Sequence, residues 1–193
     1  MPFARSTVLS ILFALTVQTL AGVEDTPSNG AYLPAQAAAD ALRSFAAADG
    51  AFLAADQIKT SYSKQDLSSL LAYPTDQLVK VNLTGTQIKH ALERGLSLYP
   101  QDNSSFLQLS GFEVTFSKSA EPNNRVLKVT VNGSPLDEHK TYSVAMPRLL
   151  GNGVLGYFKV WDKGQITKTF DETLEKILSH KAYVATSPRW LAQ

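Results

Sequence analysis

Three histidines are the obvious starting point for chemistry in this chain. His90 lies in "QIKHALERG", His139 follows Leu136-Asp137-Glu138, and His180 ends "LEKILSH". Hydrolysis of a phosphate ester at a two-metal site needs histidines and carboxylates clustered at ligand spacing, and no two of these histidines are near in sequence. There is no H-E-x-x-H pattern, no G-x-S-x-G elbow and no Walker A loop. Cysteine is absent, which removes disulfides, thiolate metal ligands and a cysteine nucleophile together. The letters of G-x-G-x-x-G do occur at 151–156, as "GNGVLG", but they run on into aromatic residues and do not open a helix after a strand. The residues therefore assign no catalytic group, no metal and no cofactor. What remains is binding: "GNGVLGYFKVWD" (151–162) sets the ring of Tyr157 on a permissive backbone, which makes either a tight turn or a platform for a ligand.

The elements that would position such a platform follow from periodicity. "PAQAAADALRSFAAADG" (34–50) predicts a helix opened by Pro34 and stopped by Gly50, with Leu42, Phe45 and Ala46 on one face. "AFLA" (51–54) reads as a short buried strand leading into a polar loop from Asp56 to Lys64. In "SKQDLSSLLAY", Ser63 followed by Asp66 predicts a helix cap, with Leu67, Leu70 and Leu71 as the apolar stripe. "QLVKVNL" predicts a strand that feeds a helix in "TGTQIKHALERGLSLY", where Thr84 and Gln87 have capping-box spacing and Ile88, Ala91, Leu92 and Leu96 share a face. "FLQLSGFEVTFS", "RVLKVTV" and "KTYSVAMP" read as strands, and Asn132-Gly133 favours a type I′ turn. The glycine loop is expected to lead into an aromatic strand. "DETLEKILSH" (171–180) predicts a last helix, with Asp171 and Glu172 in its first turn. The sum is a single α/β domain, one mixed β-sheet with helices packed on it.

Bulk properties narrow the setting. A chain of 193 residues holds one ordinary domain with a real core. Met1 to Arg5 carry one positive charge, Val8 to Val17 form an apolar run, and Thr19-Leu20-Ala21 or Gly22 offers a small-residue cleavage site. That is the layout of a secretory signal peptide, too short to span a bilayer, and it implies export to the periplasm or the cell exterior. The expected organisation is a signal peptide at 1–22, a flexible lead-in at 23–33, the domain at 34–180 and a C-terminal tail at 181–193. Cleavage would take Arg5 from the 18 basic residues and none of the 17 acids, leaving a neutral chain. Its cations are scattered singly, so neither a nucleic-acid groove nor a polybasic membrane patch is expected. Asn82-Leu83-Thr84 and Asn103-Ser104-Ser105 are N-glycosylation sequons, Asn82 being the poorer site because it lies in a predicted strand.

Across "LVKVNLTGTQIKHALERGLSLYP", "SSFLQLSGFEVTFS" and "RVLKVTVNGSPLDEHKTYSVAMP", the chain resembles the C-terminal domain of the 5′-nucleotidase family over about residues 34–180. In that family the domain follows a metallophosphatase domain that holds two metal ions, and it grips the nucleoside base between two aromatic rings. The resemblance implies that Tyr157 is one of those rings, that Tyr73 in "LLAYPTDQL" is the other, and that Asp162 falls near a ribose-binding aspartate. Lys59 stands where the family has the arginine of an Asn-Gly-Gly-Gly-Ile-Arg loop. The chain departs from the pattern beside it: Ala54, Ala55, Asp56 and Gln57 replace the asparagine and glycines, Leu155 replaces an aspartate, and no arginine stands near Tyr32 to Gln36. The expectation is a non-catalytic nucleoside- or nucleotide-binding module, partnered by a separate metallophosphatase. The alternative is an interaction or structural domain that has lost its ligand.

Overall fold

The computed structural model describes residues 29–184 and 186–193. The signal peptide expected at 1–22 lies outside them. Helix α1 (Leu33–Ala46) begins with proline in its first turn and ends where Ala47 turns left-handed at φ 46°. It stops before Gly50, whose role is different: Gly50 opens strand β1 (Gly50–Ala54), and a β-carbon there would run into the Phe112 ring. Leu42 and Ala46 are buried as expected. Phe45 is exposed, and its ring rests 5.4 Å from that of Phe170.

Strand β2 (Gln77–Thr84) runs directly into helix α2 (Gly85–Gly95) through a complete capping box. The Gln87 backbone N–H donates to Thr84 Oγ1 at 3.2 Å, and the Thr84 N–H donates to Gln87 Oε1 at 3.0 Å. "FLQLSGFEVTFS" is two strands, β3 (Leu107–Ser110) and β4 (Phe112–Phe116), parted at Gly111 with φ 75°. Strand β5 (Val126–Val131) turns at Asn132 and Gly133, φ 50° and 83°, into the short β6 (Ser134–Pro135). Positive φ at both central residues is the type I′ signature. Strand β7 (Thr141–Pro147) leads to helix α3 (Arg148–Gly151), then come strand β8 (Ile166–Thr173), helix α4 (Leu174–Leu178) and strand β9 (Trp190–Ala192).

These strands make two mixed sheets where one was expected. The larger has the order β3-β1-β7-β2-β8 and the smaller β6-β5-β4-β9. Because side chains alternate along a strand, β1 feeds two cores. Phe52 and Ala54 join α2, the smaller sheet and Trp161, while Ala51 and Leu53 join α1, Leu70 and α4. Gly111 is what allows the chain to pass from one sheet to the other.

Three local expectations change. The segment 63–73 forms only a 3-10 turn at Leu67–Leu70, capped by Asp66 and not Ser63. Asp66 Oδ1 accepts from the Ser68 backbone N–H at 3.0 Å and the Ser68 hydroxyl at 2.7 Å, local bonds that compete with a regular helix. Leu67, Leu70 and Leu71 are nonetheless buried. Asp171 and Glu172 belong to β8, whose alternation buries Phe170, and α4 starts only after Thr173 caps it. The glycine loop leads into a 3-10 segment, Val154–Lys159, and not into a strand.

Both ends of the described chain are tied in. Ala31 and Tyr32, within the expected lead-in, are buried, and the Tyr32 N–H donates to Gln108 Oε1 at 3.0 Å. Within the expected tail, β9 pairs in parallel with β4, and the buried Trp190 donates its Nε1–H to the Leu107 carbonyl at 2.9 Å. Among the described residues, no helix is long and apolar enough to cross a membrane.

Candidate functional site

A cleft of about 790 Å³ opens between the β1–β2 connection and the chain running from the end of α2 into β3. Asp56 and Lys59 stand on one wall, and Tyr99, Asn103, Ser104 and Phe106 on the other. Backbone bonds zip the walls together at the base: the Ala55 N–H donates to the Phe106 carbonyl at 2.8 Å and the Asp56 N–H to the Ser104 carbonyl at 3.0 Å. Two amides shape the rim. Asn103 Nδ2 donates to the Gly95 carbonyl at 2.9 Å while its Oδ1 accepts from the Ser105 hydroxyl at 2.6 Å. Gln108 Nε2 donates to the Gly30 carbonyl at 2.8 Å, clamping the segment before α1 against β3.

Lys59 and Tyr73 are brought to the same region. The Lys59 N–H donates to the Leu70 carbonyl at 2.8 Å and the Ala72 N–H to the Gln57 carbonyl at 2.9 Å, with a β-bridge between Ile58 and Leu71. This short ladder holds Tyr73 beside the Asp56–Lys59 turn. The Tyr73 ring is 44% exposed, and its hydroxyl donates to Asp56 Oδ2 at 3.4 Å.

Tyr157 and Asp162 are placed elsewhere. Tyr157 is 0% exposed, stacked on Trp161 with ring centroids 4.6 Å apart and planes 11° from parallel. Its hydroxyl donates to the Ser105 carbonyl at 2.5 Å. Burial holds the phenol well above its ordinary pKa, with the nearby Arg94 charge pulling the other way, so it stays a protonated donor. In this structure Tyr157, one of the two rings the resemblance implies, is a core side chain, and Arg94 ties down the loop that carries it. Arg94 Nε donates to the Leu155 carbonyl at 2.8 Å, and its guanidinium carbon lies 5.5 Å from the Tyr157 ring centroid. Leu155 and Gly156 both have positive φ, and a β-carbon on Gly156 would run into Arg94. The ring that this loop turns outward is Phe158, 67% exposed. Asp162 is exposed and serves as a cap: its Oδ1 accepts from the Gly164 N–H at 2.6 Å.

Asp56, Asp102, Asn103 and Gln108 are among the cleft residues that the sequence alone did not single out for binding. Asn103 was visible as a sequon, but its amide nitrogen is occupied by backbone carbonyls, whereas the Asn82 side chain is exposed on β2. The three histidines are exposed and sit on separate segments. Among the described residues no group of three or more histidines and carboxylates could hold a metal ion.

The family model for the 5′-nucleotidase C-terminal domain matches residues 14–162, and the chain belongs to that family. A 5′-nucleotidase-related protein of Glossina morsitans morsitans is 38% identical over 120 residues, covering 55% of this chain and 22% of that protein. The human 5′-nucleotidase is 32% identical over 91 residues, covering 43% and 16%. Among solved structures, the 5′-nucleotidase precursor of Thermus thermophilus superposes with a TM-score of 0.65 at 23% identity, over 81% of this chain and 34% of that one. The NAD nucleotidase of Haemophilus influenzae gives 0.66 at 16% identity, over 86% and 34%. The chain thus spans about a third or less of these relatives, and its fold is that of their C-terminal domains.

Proposed function

We propose that this chain is an exported nucleoside- or nucleotide-binding module whose ligand sits in the cleft beside Lys59, with Tyr73, bonded to the cleft's Asp56, as the stacking ring. One observation carries this reading. The loop at 55–59, which stands in place of the family's arginine-bearing loop, faces Phe106 and Gln108 of "FLQLSG", one of the motifs that carry the resemblance, across one cleft. Catalysis of phosphate-ester hydrolysis falls to a metallophosphatase on a separate chain or segment. Export rests on the charge and hydropathy pattern of residues 1–22.

Affinity in this reading is modest. Stacking contributes ~1–3 kcal/mol per ring, and a millimolar dissociation constant already requires about 4 kcal/mol. Calorimetric or NMR titration with adenosine should show saturable binding in the high-micromolar to millimolar range, weakened by Tyr73→Ala and by Lys59→Ala. The same preparation should release no phosphate from AMP when supplied with Mn²⁺, Co²⁺ or Zn²⁺. Absence of saturation at millimolar adenosine, or binding that both variants keep, would favour the second reading, an interaction domain that has lost its ligand. The burial of Tyr157 is the observation on that side.

A further inference from the structure

The charges around the cleft suggest which ligands it accepts, an inference that rests on the cleft being the binding site. Its ionisable lining groups of full charge are Asp56, Asp102 and Lys59: two carboxylates against one ammonium. All three side chains are exposed. Lys59 has no ion-pair partner, Asp102 makes no side-chain hydrogen bond, and Asp56 uses only Oδ2, for Tyr73, among the described residues. Of the uncharged polar groups in the lining, the Gln108 amide is used at both ends by Gly30 and Tyr32 and Asn103 is held by Gly95 and Ser105, while Thr60, Gln101 and Ser104 bring no charge.

Neighbouring cations do not correct the balance. Arg125 donates to the carbonyls of Leu96, Tyr99 and Ala120 and is buried behind the wall that Tyr99 forms. Arg94 is turned away to the Leu155 carbonyl. The charged groups of the cleft therefore sum to a net negative charge, with the Asp56 and Asp102 carboxylates as acceptors for ligand hydroxyl and amino groups and Lys59, among the described residues, as its one cation.

We infer that the cleft selects uncharged, hydroxyl-bearing nucleosides over their phosphorylated forms, with Asp56 and Asp102 accepting from ligand donors and repelling phosphate. A phosphate monoester carries a charge of about −1.5 to −2 at pH 7. Lys59 offsets part of that repulsion, so discrimination is moderate.

The test is a titration of the full chain at low ionic strength with adenosine and with AMP. Adenosine should bind roughly threefold or more tightly than AMP, a gap that narrows as salt is raised. In the Asp56→Asn, Asp102→Asn double variant the gap should close, and in Lys59→Gln it should widen. AMP binding more tightly than adenosine to the unaltered chain would overturn the selection while leaving the cleft as the ligand site. An undiminished gap in the double variant would also overturn it. Saturable binding of neither compound would remove both this inference and the function on which it rests.

Discussion

Tyr157→Ala should destabilise the domain by about 3–5 kcal/mol, the range for truncating a buried aromatic side chain. The ring has no exposed surface, and its removal would take away the nearer of the two rings stacked on Trp161, leaving Phe52 at 6.4 Å, and open a cavity between α2 and the glycine loop. Tyr157→Phe tests the hydroxyl alone. It withdraws one donor from the Ser105 carbonyl at a cost of about 1–3 kcal/mol, because the acceptor is buried with it. Chemical denaturation of the three proteins gives both numbers. A Tyr157→Ala variant that unfolds at the same denaturant concentration but no longer binds adenosine would put the ring at a ligand face and would count against the core placement.

Leu92→Ala comes next, with an expected loss of about 2–5 kcal/mol. Leu92 shares the fully buried face of α2 with Ile88, Ala91 and Leu96, and that face closes the core under the larger sheet. The helix is fixed at its start by the capping box and at its end by the pairing of Arg94 with the glycine loop, so it has little freedom to slide into the space left behind. A control at Lys89, an exposed residue paired with Glu138, should leave the midpoint almost unchanged. An unaltered melting temperature for Leu92→Ala would show that this face is not core.

These two positions also show what the sequence could reveal. Leu92 was legible because helix periodicity and the Thr84–Gln87 cap are local, and β1, β2 and the Asn132-Gly133 turn were legible for the same reason. Features fixed by distant partners were not. Nothing near Gly111 announces that β3 and β4 belong to different sheets, since that depends on β1 and β9 pairing from either end of the chain. The end of β8 was mistaken for helix because Asp171 and Glu172 suit a helix start, while the pairing of Thr169 and Thr173 with β2 extends the strand. In the candidate site, the resemblance points to Lys59 and Tyr73 as ligand contacts; the structure puts Lys59 in the cleft lining and bonds the Tyr73 hydroxyl to Asp56. The environment of Tyr157 is not legible in this way, because it is made by distant partners: Arg94, 61 positions from the Leu155 it bonds, and the Ser105 carbonyl.

Strand β7 has a consequence for biosynthesis. It is the middle strand of five, parallel to β1 on one side and antiparallel to β2 on the other, yet it follows both in the chain. A ribosome working from the N-terminus therefore releases β1 and β2 long before the strand that joins them. Phe52, Leu53, Val79 and Val81, all fully buried in the finished protein, emerge on strands with open edges and stay so until residue 147 has been made. Exposed strand edges of this kind invite pairing with other chains. Until β7 is made, the nascent chain carries edges of the kind that a holding chaperone would have to cover.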